Sequence, residues 1–432
     1  MKKLLSILSF LFILVAAGIL PAAMGEAKAD IAGQVVLNEA SETLKQEVTV
    51  KTFIDGDTTH FLIPEAFPVT GVLKARYLAV NTPEVTGKIE EYGKKAAQFT
   101  RERLSNATSI IIESDDGNWN KDSTGERYLV WVWYKTEENP VYRNLNIELL
   151  ENGLAIANSS KNNRYGDYCM AAIDSAKQAK LNVYSGQKDP DFFYGDAIEL
   201  TIKELRTNLE FYNGKKVAFN GIITMNDANA VYLEQYDPET DMFFGMSVYY
   251  GYGLSAKGLD ILKVGNESRI VGTVQYYEAG GTWQVSGLTY RMMKPSDPGN
   301  IQMLSEGHLP SYTPVTADTF KNGRVTVAED ETEREFDFAY LAVGTSVEMK
   351  DLFVENVYTT LDEESSSFGA MTLECTSSGI PVQIRTGVLY ENGEMITKDR
   401  YLGKTISVKG IVDYYEGVHQ IKVFMPEQIL IN

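Results

Sequence analysis

A multidomain, mainly β protein is the fold class this sequence predicts. At 432 residues the chain is about two to three times the usual size of one domain, and 44% hydrophobic residues suffice for several cores. Short β-branched and aromatic runs separated by turn residues recur along most of its length, which is the pattern of strands. A motif also returns. Gly272-Thr273-Val274-Gln275-Tyr276-Tyr277-Glu278, followed by Gln284-Val285, is echoed by Gly410-Ile411-Val412-Asp413-Tyr414-Tyr415-Glu416, followed by Gln420-Ile421. Two related β modules are therefore expected in the second half.

Taken in order, Lys2 and Lys3 precede an apolar run from Leu4 to Leu20, then Pro21 and small residues ending Ala27-Lys28-Ala29. This reads as a secretory signal peptide over 1–29. The alternative is an uncleaved membrane anchor, because the run is only just short of a bilayer span. A domain is expected over 45–195. Its strands are Val48–Phe53, His60–Ile63, Gly71–Val80, Ser109–Glu113 and Tyr128–Tyr134, and its helices are Glu91–Leu104, Leu145–Asn152 and Asp167–Leu181. The two β modules then occupy 196–294 and 317–432, joined by a Pro-punctuated linker at 295–316. Strands such as Gly403–Val412 resemble those of OB-fold barrels. The acidic run Glu329–Glu335, between Val325/Val327 and Phe336/Phe338, reads as a solvated hairpin tip.

Charge divides the chain. Residues 45–195 carry 18 Lys/Arg against 21 Asp/Glu, a net −3, while residues 196–432 carry 19 against 34, a net −15. A field of that sign repels polyphosphate, so the carboxy-terminal half gains no long-range attraction to nucleic acid. Only Cys169 and Cys375 occur. They fall in different expected domains and read as buried free thiols, so no disulfide framework is predicted. A secreted bacterial protein suits that combination.

Three short segments carry the chemistry: Ile54-Asp55-Gly56-Asp57-Thr58, then Arg76 leading into Asn81-Thr82-Pro83-Glu84, then Gly125-Glu126-Arg127. Hydrolysis of a phosphodiester needs an activated water, relief of repulsion between anion and nucleophile, and stabilisation of charge on the phosphoryl oxygens. Carboxylates holding a hard cation, together with two guanidinium groups, meet the last two needs. Asp55 and Asp57, two apart in a strand, would project from one face, with Gly56 permitting close approach. Arg76 lies five residues before Asn81 in the same predicted strand, and Arg127 begins the strand Tyr128–Tyr134. A planar guanidinium can hold two phosphate oxygens at once. Taken singly, each segment has a plain reading: an Asp-Gly turn, Glu84 opening a helix, Arg127 as a surface charge. Trp131 and Trp133 alternate on one strand face and suit either a core or base stacking. His60, one of three histidines, reads as an ordinary strand residue.

In that order and spacing, followed by Leu145–Leu150, Gly153-Leu154-Ala155 and Ala179–Tyr184, the segments resemble the staphylococcal nuclease family over roughly residues 48–186. The resemblance implies a five-stranded OB-type barrel with three helices. It implies Ca2+ bound by Asp57, by the Asn81 position and by the backbone carbonyl of Thr82, with Asp55 as an acid just behind. Arg76, Glu84 and Arg127 would be catalytic, with Glu84 positioning or deprotonating the attacking water, and products would carry 3′-phosphate ends. The chain departs from the family where Asn81 replaces a carboxylate, where Glu126 is inserted before Arg127, and where Ser159 stands in place of an aromatic. The loss of one negative charge at Asn81 predicts a weaker calcium site. The function expected is a secreted calcium-dependent endonuclease acting on DNA and RNA, with single strands preferred. Two alternatives stand beside it: a catalytically weak nucleic-acid-binding protein, and a nuclease whose acidic carboxy-terminal modules bind cell wall or protein.

Overall fold

A computed structural model of the chain describes residues 30–64, 71–85, 87–278, 280–329, 332–362, 365 and 367–432. The expected leader at 1–29 lies outside these residues. Three five-stranded barrels follow one another along the chain. The first closes β1 (Lys45–Phe53), β2 (Thr58–Leu62), β3 (Val72–Tyr77), β4 (Ser109–Glu113) and β5 (Tyr128–Lys135). The second closes β6 (Lys216–Asp227), β7 (Ala230–Asp237), β8 (Met242–Tyr249), β9 (Glu267–Tyr277) and β10 (Thr282–Ser286). The third closes β11 (Ser346–Thr359), β12 (Met371–Ser377), β13 (Ile380–Thr386), β14 (Thr405–Tyr415) and β15 (Val418–Val423).

All three share one strand order. The first strand pairs antiparallel with the second and fourth, and a parallel contact between third and fifth closes the ring: Ala75 to Tyr128, Val248 to Val285, Ile384 to Ile421. Closure leaves the barrel strands without a free edge and encloses alternate side chains. In β14, Ile406 and Val408 point inward while Lys409 faces out. The repeated motif falls on equivalent strands, with Gln275 opposite Gln284 in β9–β10 and Asp413 opposite Gln420 in β14–β15. Its glycines have one cause. A Cβ on Gly272 would meet the Ser286 carbonyl oxygen at 2.6 Å, and one on Gly410 would meet the Lys422 carbonyl oxygen at 2.6 Å.

The first barrel carries α1 (Gly93–Ser105), α2 (Leu145–Glu151) and α3 (Gly166–Gln178). Asn144 caps α2 by accepting from the Ile147 amide at 3.1 Å, and every residue of α2 is buried. The packed residues of this domain begin at Ile31, ahead of the expected start at 45, because Glu151 accepts from the amides of Ile31 and Ala32. The stretch read as a linker is built into its neighbours: Gln302–Ser305 pairs with β9, and Thr313–Pro314 pairs with β11. The acidic hairpin is present as Arg324–Glu329 against Thr332–Asp337, its tip lying outside the described residues. Val325, Val327 and Phe336 pack it onto the second barrel.

The last two barrels are fastened together. Buried Glu234 of β7 accepts from the amides of Ser311 (2.7 Å) and Ser346 (2.8 Å) and from the Ser346 hydroxyl. Lys422 of β15 reaches Asp227 of β6 at 2.5 Å. Backbones meet at two glycines: a Cβ on Gly245 would lie 2.2 Å from the Gly344 carbonyl carbon, and Gly344 has a φ of +93°. Among the described residues no helix is long and apolar enough to cross a membrane. Cys169 and Cys375 are both buried and free.

Candidate functional site

Asp55 and Asp57 do not lie in a strand. They occupy the tight turn from β1 to β2, closed by the Ile54 and Asp55 amides donating to the Thr58 carbonyl at 3.1 and 3.2 Å. Asp55 accepts from the Asp57 amide at 3.0 Å, the side-chain-to-backbone bond that fixes such turns. Gly56 is required by space, since a Cβ there would come within 2.9 Å of both Thr82 and Ala96. This turn places Asp57 wholly out of solvent. Its carboxylate accepts from the Thr82 amide at 2.8 Å, from the Thr58 hydroxyl at 3.1 Å and from Arg76. Burial, reinforced by the charge of Asp55 and opposed by Arg76, pushes its pKa up to about 7.

The strand expected over Gly71–Val80 ends at Tyr77. Ala79 adopts a left-handed φ of 68°, the Leu78 amide donates to the Val130 carbonyl, and Val80–Asn81 pairs instead with Ile156–Ala157. In a straight strand residues five apart face opposite sides at roughly 16 Å. The turn brings the Asn81 amide oxygen to 2.6 Å from Arg76 Nη2. Arg76 therefore bridges Asp57 and Asn81.

Glu84 follows Pro83 outside any helix or strand, and the next helix starts at Gly93, so Glu84 does not open a helix. Its amide donates to Glu90 at 3.3 Å. Burial first, then Asp55 and Glu90, hold its pKa above the usual carboxylate range, while Arg76 and Arg127 pull the other way. Arg76 and Arg127 thus both act electrostatically on Glu84. The inserted Glu126 is accommodated by a loop that turns at Gly125 (φ 75°) and projects Glu126 outward, toward Lys74 at 3.4 Å. Arg127 still enters β5, with its guanidinium held by Asp122 at 2.7 Å.

Among the described residues no cluster of three or more His, Cys, Asp or Glu is arranged to hold a metal. The oxygens gathered around Arg76 are of mixed type: the Asp57 carboxylate and the Asn81 amide oxygen, with Asp55 behind and the Thr82 amide donating to Asp57. All are hard oxygens, the chemistry Ca2+ takes. The donor chemistry is thus of the kind that suits Ca2+, and Arg76 already engages both the Asp57 carboxylate and the Asn81 amide oxygen.

Trp131 and Trp133 are fully buried and belong to the core. Trp133 Nε1 donates to Glu113 at 2.8 Å, as does the Tyr165 hydroxyl at 3.0 Å. Tyr168 is exposed, and Ser159 has a left-handed φ of 53°. His60 is a half-buried strand residue of β2. Two contributors escape the sequence reading. Asp122 was signalled only by the turn pattern Asp122-Ser123-Thr124-Gly125. Gln275 of the second barrel donates to the carbonyl of Val85, next to Glu84, and no local pattern marks it. Arg101 of α1 also pairs with Glu278.

Residues 74–186 match the family model described as Staphylococcal nuclease homologue. Asp55 and Asp57 precede the matched range but are hydrogen-bonded into the same barrel. The match spans about a quarter of the chain and includes Arg76, Asn81, Thr82, Glu84, Arg127 and all three helices of the first domain. Residues 74–186 are thus a staphylococcal nuclease homologue domain, followed here by two further barrels of the same strand order.

Proposed function

We propose that this protein is a secreted, calcium-dependent endonuclease that hydrolyses phosphodiester bonds of DNA and RNA, with single strands preferred. One observation carries the reading: two turns, at Asp55–Asp57 and after Tyr77, gather Asp57, Arg76, Asn81 and Thr82 into one hydrogen-bonded cluster, with Glu84 in the field of both Arg76 and Arg127. In this reading Asp57, Asn81 and the Thr82 carbonyl hold Ca2+, which when bound would offset charge on the phosphate. Arg76 gives its guanidinium to phosphoryl oxygens, Arg127 neutralises charge across from it, and Glu84 orients the attacking water and accepts its proton. The raised proton affinity of Glu84 suits a base better than an ordinary surface carboxylate would.

The test is cleavage of single-stranded DNA by residues 30–432, titrated from roughly micromolar to tens of millimolar calcium with a chelator control. Cleavage saturating near millimolar calcium, and reduced roughly a hundredfold or more in Glu84→Gln with the fold unchanged, is the expected result. Full activity of Glu84→Gln would remove the role given to it. A binding-only reading is favoured by one observation, that Arg76 is engaged by Asp57 and Asn81. A folded chain that binds single strands and never cuts them would select it.

A further inference from the structure

A cleft of about 500 Å3 opens between the second and third barrels, within the size range of small-ligand sites. Its walls are aromatic: Tyr276 and Trp283 from β9 and β10, Tyr340 from the helix Phe338–Ala342, and Tyr414 from β14. Trp283 is half-buried and its ring lies 5.1 Å from that of Tyr276. Arg206 also lines it. That residue is 2% exposed, its Nη2 donates to the Tyr340 carbonyl, and its guanidinium lies 5.2 Å from the Tyr340 ring centre. Its Nε has no hydrogen-bond partner, and neither does buried Nε2 of His419, which lines the same cleft. An unpaired buried polar group is costly, and an acceptor brought by water or by a ligand relieves it.

A second cleft, of about 310 Å3, separates the nuclease homologue domain from the second barrel and is lined by Asp55, Val85 and Arg101. Tyr276, 45% exposed, is a wall of both clefts. One side chain thus borders both the cleft that carries Asp55 of the candidate active site and the inter-barrel cleft. At the rim of the latter, Arg324 is paired with Glu335 and Asp337. Those carboxylates and the net charge of −15 across residues 196–432 disfavour a phosphate there. An uncharged planar group with carbonyl acceptors meets every feature.

We propose that this cleft receives one base of the single strand lying in the candidate active site, stacked on Trp283 and Tyr276, with a base carbonyl accepting from Arg206. The proposal rests on the nucleic-acid reading above and adds a second contact to it. Because the cleft is joined to the active site through the same chain, a weak base contact acts at high effective concentration. The acidic half then needs no affinity of its own for polyphosphate.

The experiment uses residues 30–432 carrying Glu84→Gln, in calcium, with labelled oligothymidylates of roughly four and roughly sixteen nucleotides, the short and long ends of what such barrels span. Trp283→Ala is expected to weaken binding of the long strand roughly tenfold, the worth of one stacked base, with the short strand bound as before. Trp283→Phe should restore most of the loss, which damaged folding would not allow. Equal loss at both lengths overturns the proposal. So does a long strand indifferent to Trp283→Ala, including when the cleft is then found to hold a peptide or a glycan. If the unsubstituted chain cuts nothing and the length-dependent loss is still seen, the hydrolytic reading fails and the base site stands.

Discussion

At Asn81 an amide oxygen faces Arg76 where a carboxylate would add a full negative charge beside Asp57. Asn81→Asp is expected to lower the calcium concentration giving half-maximal cleavage, by about tenfold, because ligand charge sets affinity at such sites. A calcium titration of the variant checks this. His419 reports on the other end of the molecule. Burial, then Arg206 and Lys321, lower its pKa to about 4, with Asp337 opposing. The folded chain keeps His419 neutral down to that value, whereas the unfolded chain takes the proton near 6.5. Between the two the unfolded state binds more protons, so the stability due to neutral His419 is full above about pH 6.5 and is lost as pH falls toward 4. Urea midpoints measured across that window should fall less steeply in His419→Gln than in the unsubstituted chain.

For the elements, the repeated motif makes a paired forecast. Gly272→Ala and Gly410→Ala each thrust a methyl into the fifth strand of their barrel, and each should cost ~1–3 kcal/mol in denaturant melts. A large difference between the two would mean that the equivalence of the strands is only topological. The strands of the first domain were legible because β-branched and aromatic residues concentrate in them; Ser109–Glu113 is recovered residue for residue. The break after Tyr77 was not. Ala79 has no intrinsic preference for a left-handed φ, so nothing in Gly71–Val80 announces the turn that carries Asn81 to Arg76. Asp55-Gly56-Asp57, read as strand with an Asp-Gly turn as the alternative, is a turn, because its geometry is set by bonds to Thr58. Gln275 reaches Val85 across 190 residues, beyond any local pattern.

Across the whole molecule, the second and third barrels should unfold together as long as Glu234 holds the strands between them. Glu234→Leu leaves the Ser311 and Ser346 donors unpaired and should cost ~3 kcal/mol or more. Calorimetry of the variant is expected to show the third barrel melting apart from the second, where the unsubstituted chain gives one transition for both. The glycine pair at that seam, Gly245 and Gly344, bears on how such a protein can be rearranged. Main chain lies against main chain there, with no side chain to repack. A foreign barrel spliced after the second would have to bring its own glycine to the entry of its first strand, and in the same left-handed bend. The last two barrels are accordingly expected to tolerate exchange only as one block, whereas the nuclease homologue domain ahead of them meets the second barrel through bonds such as Gln275 to the Val85 carbonyl and Arg101 to Glu278.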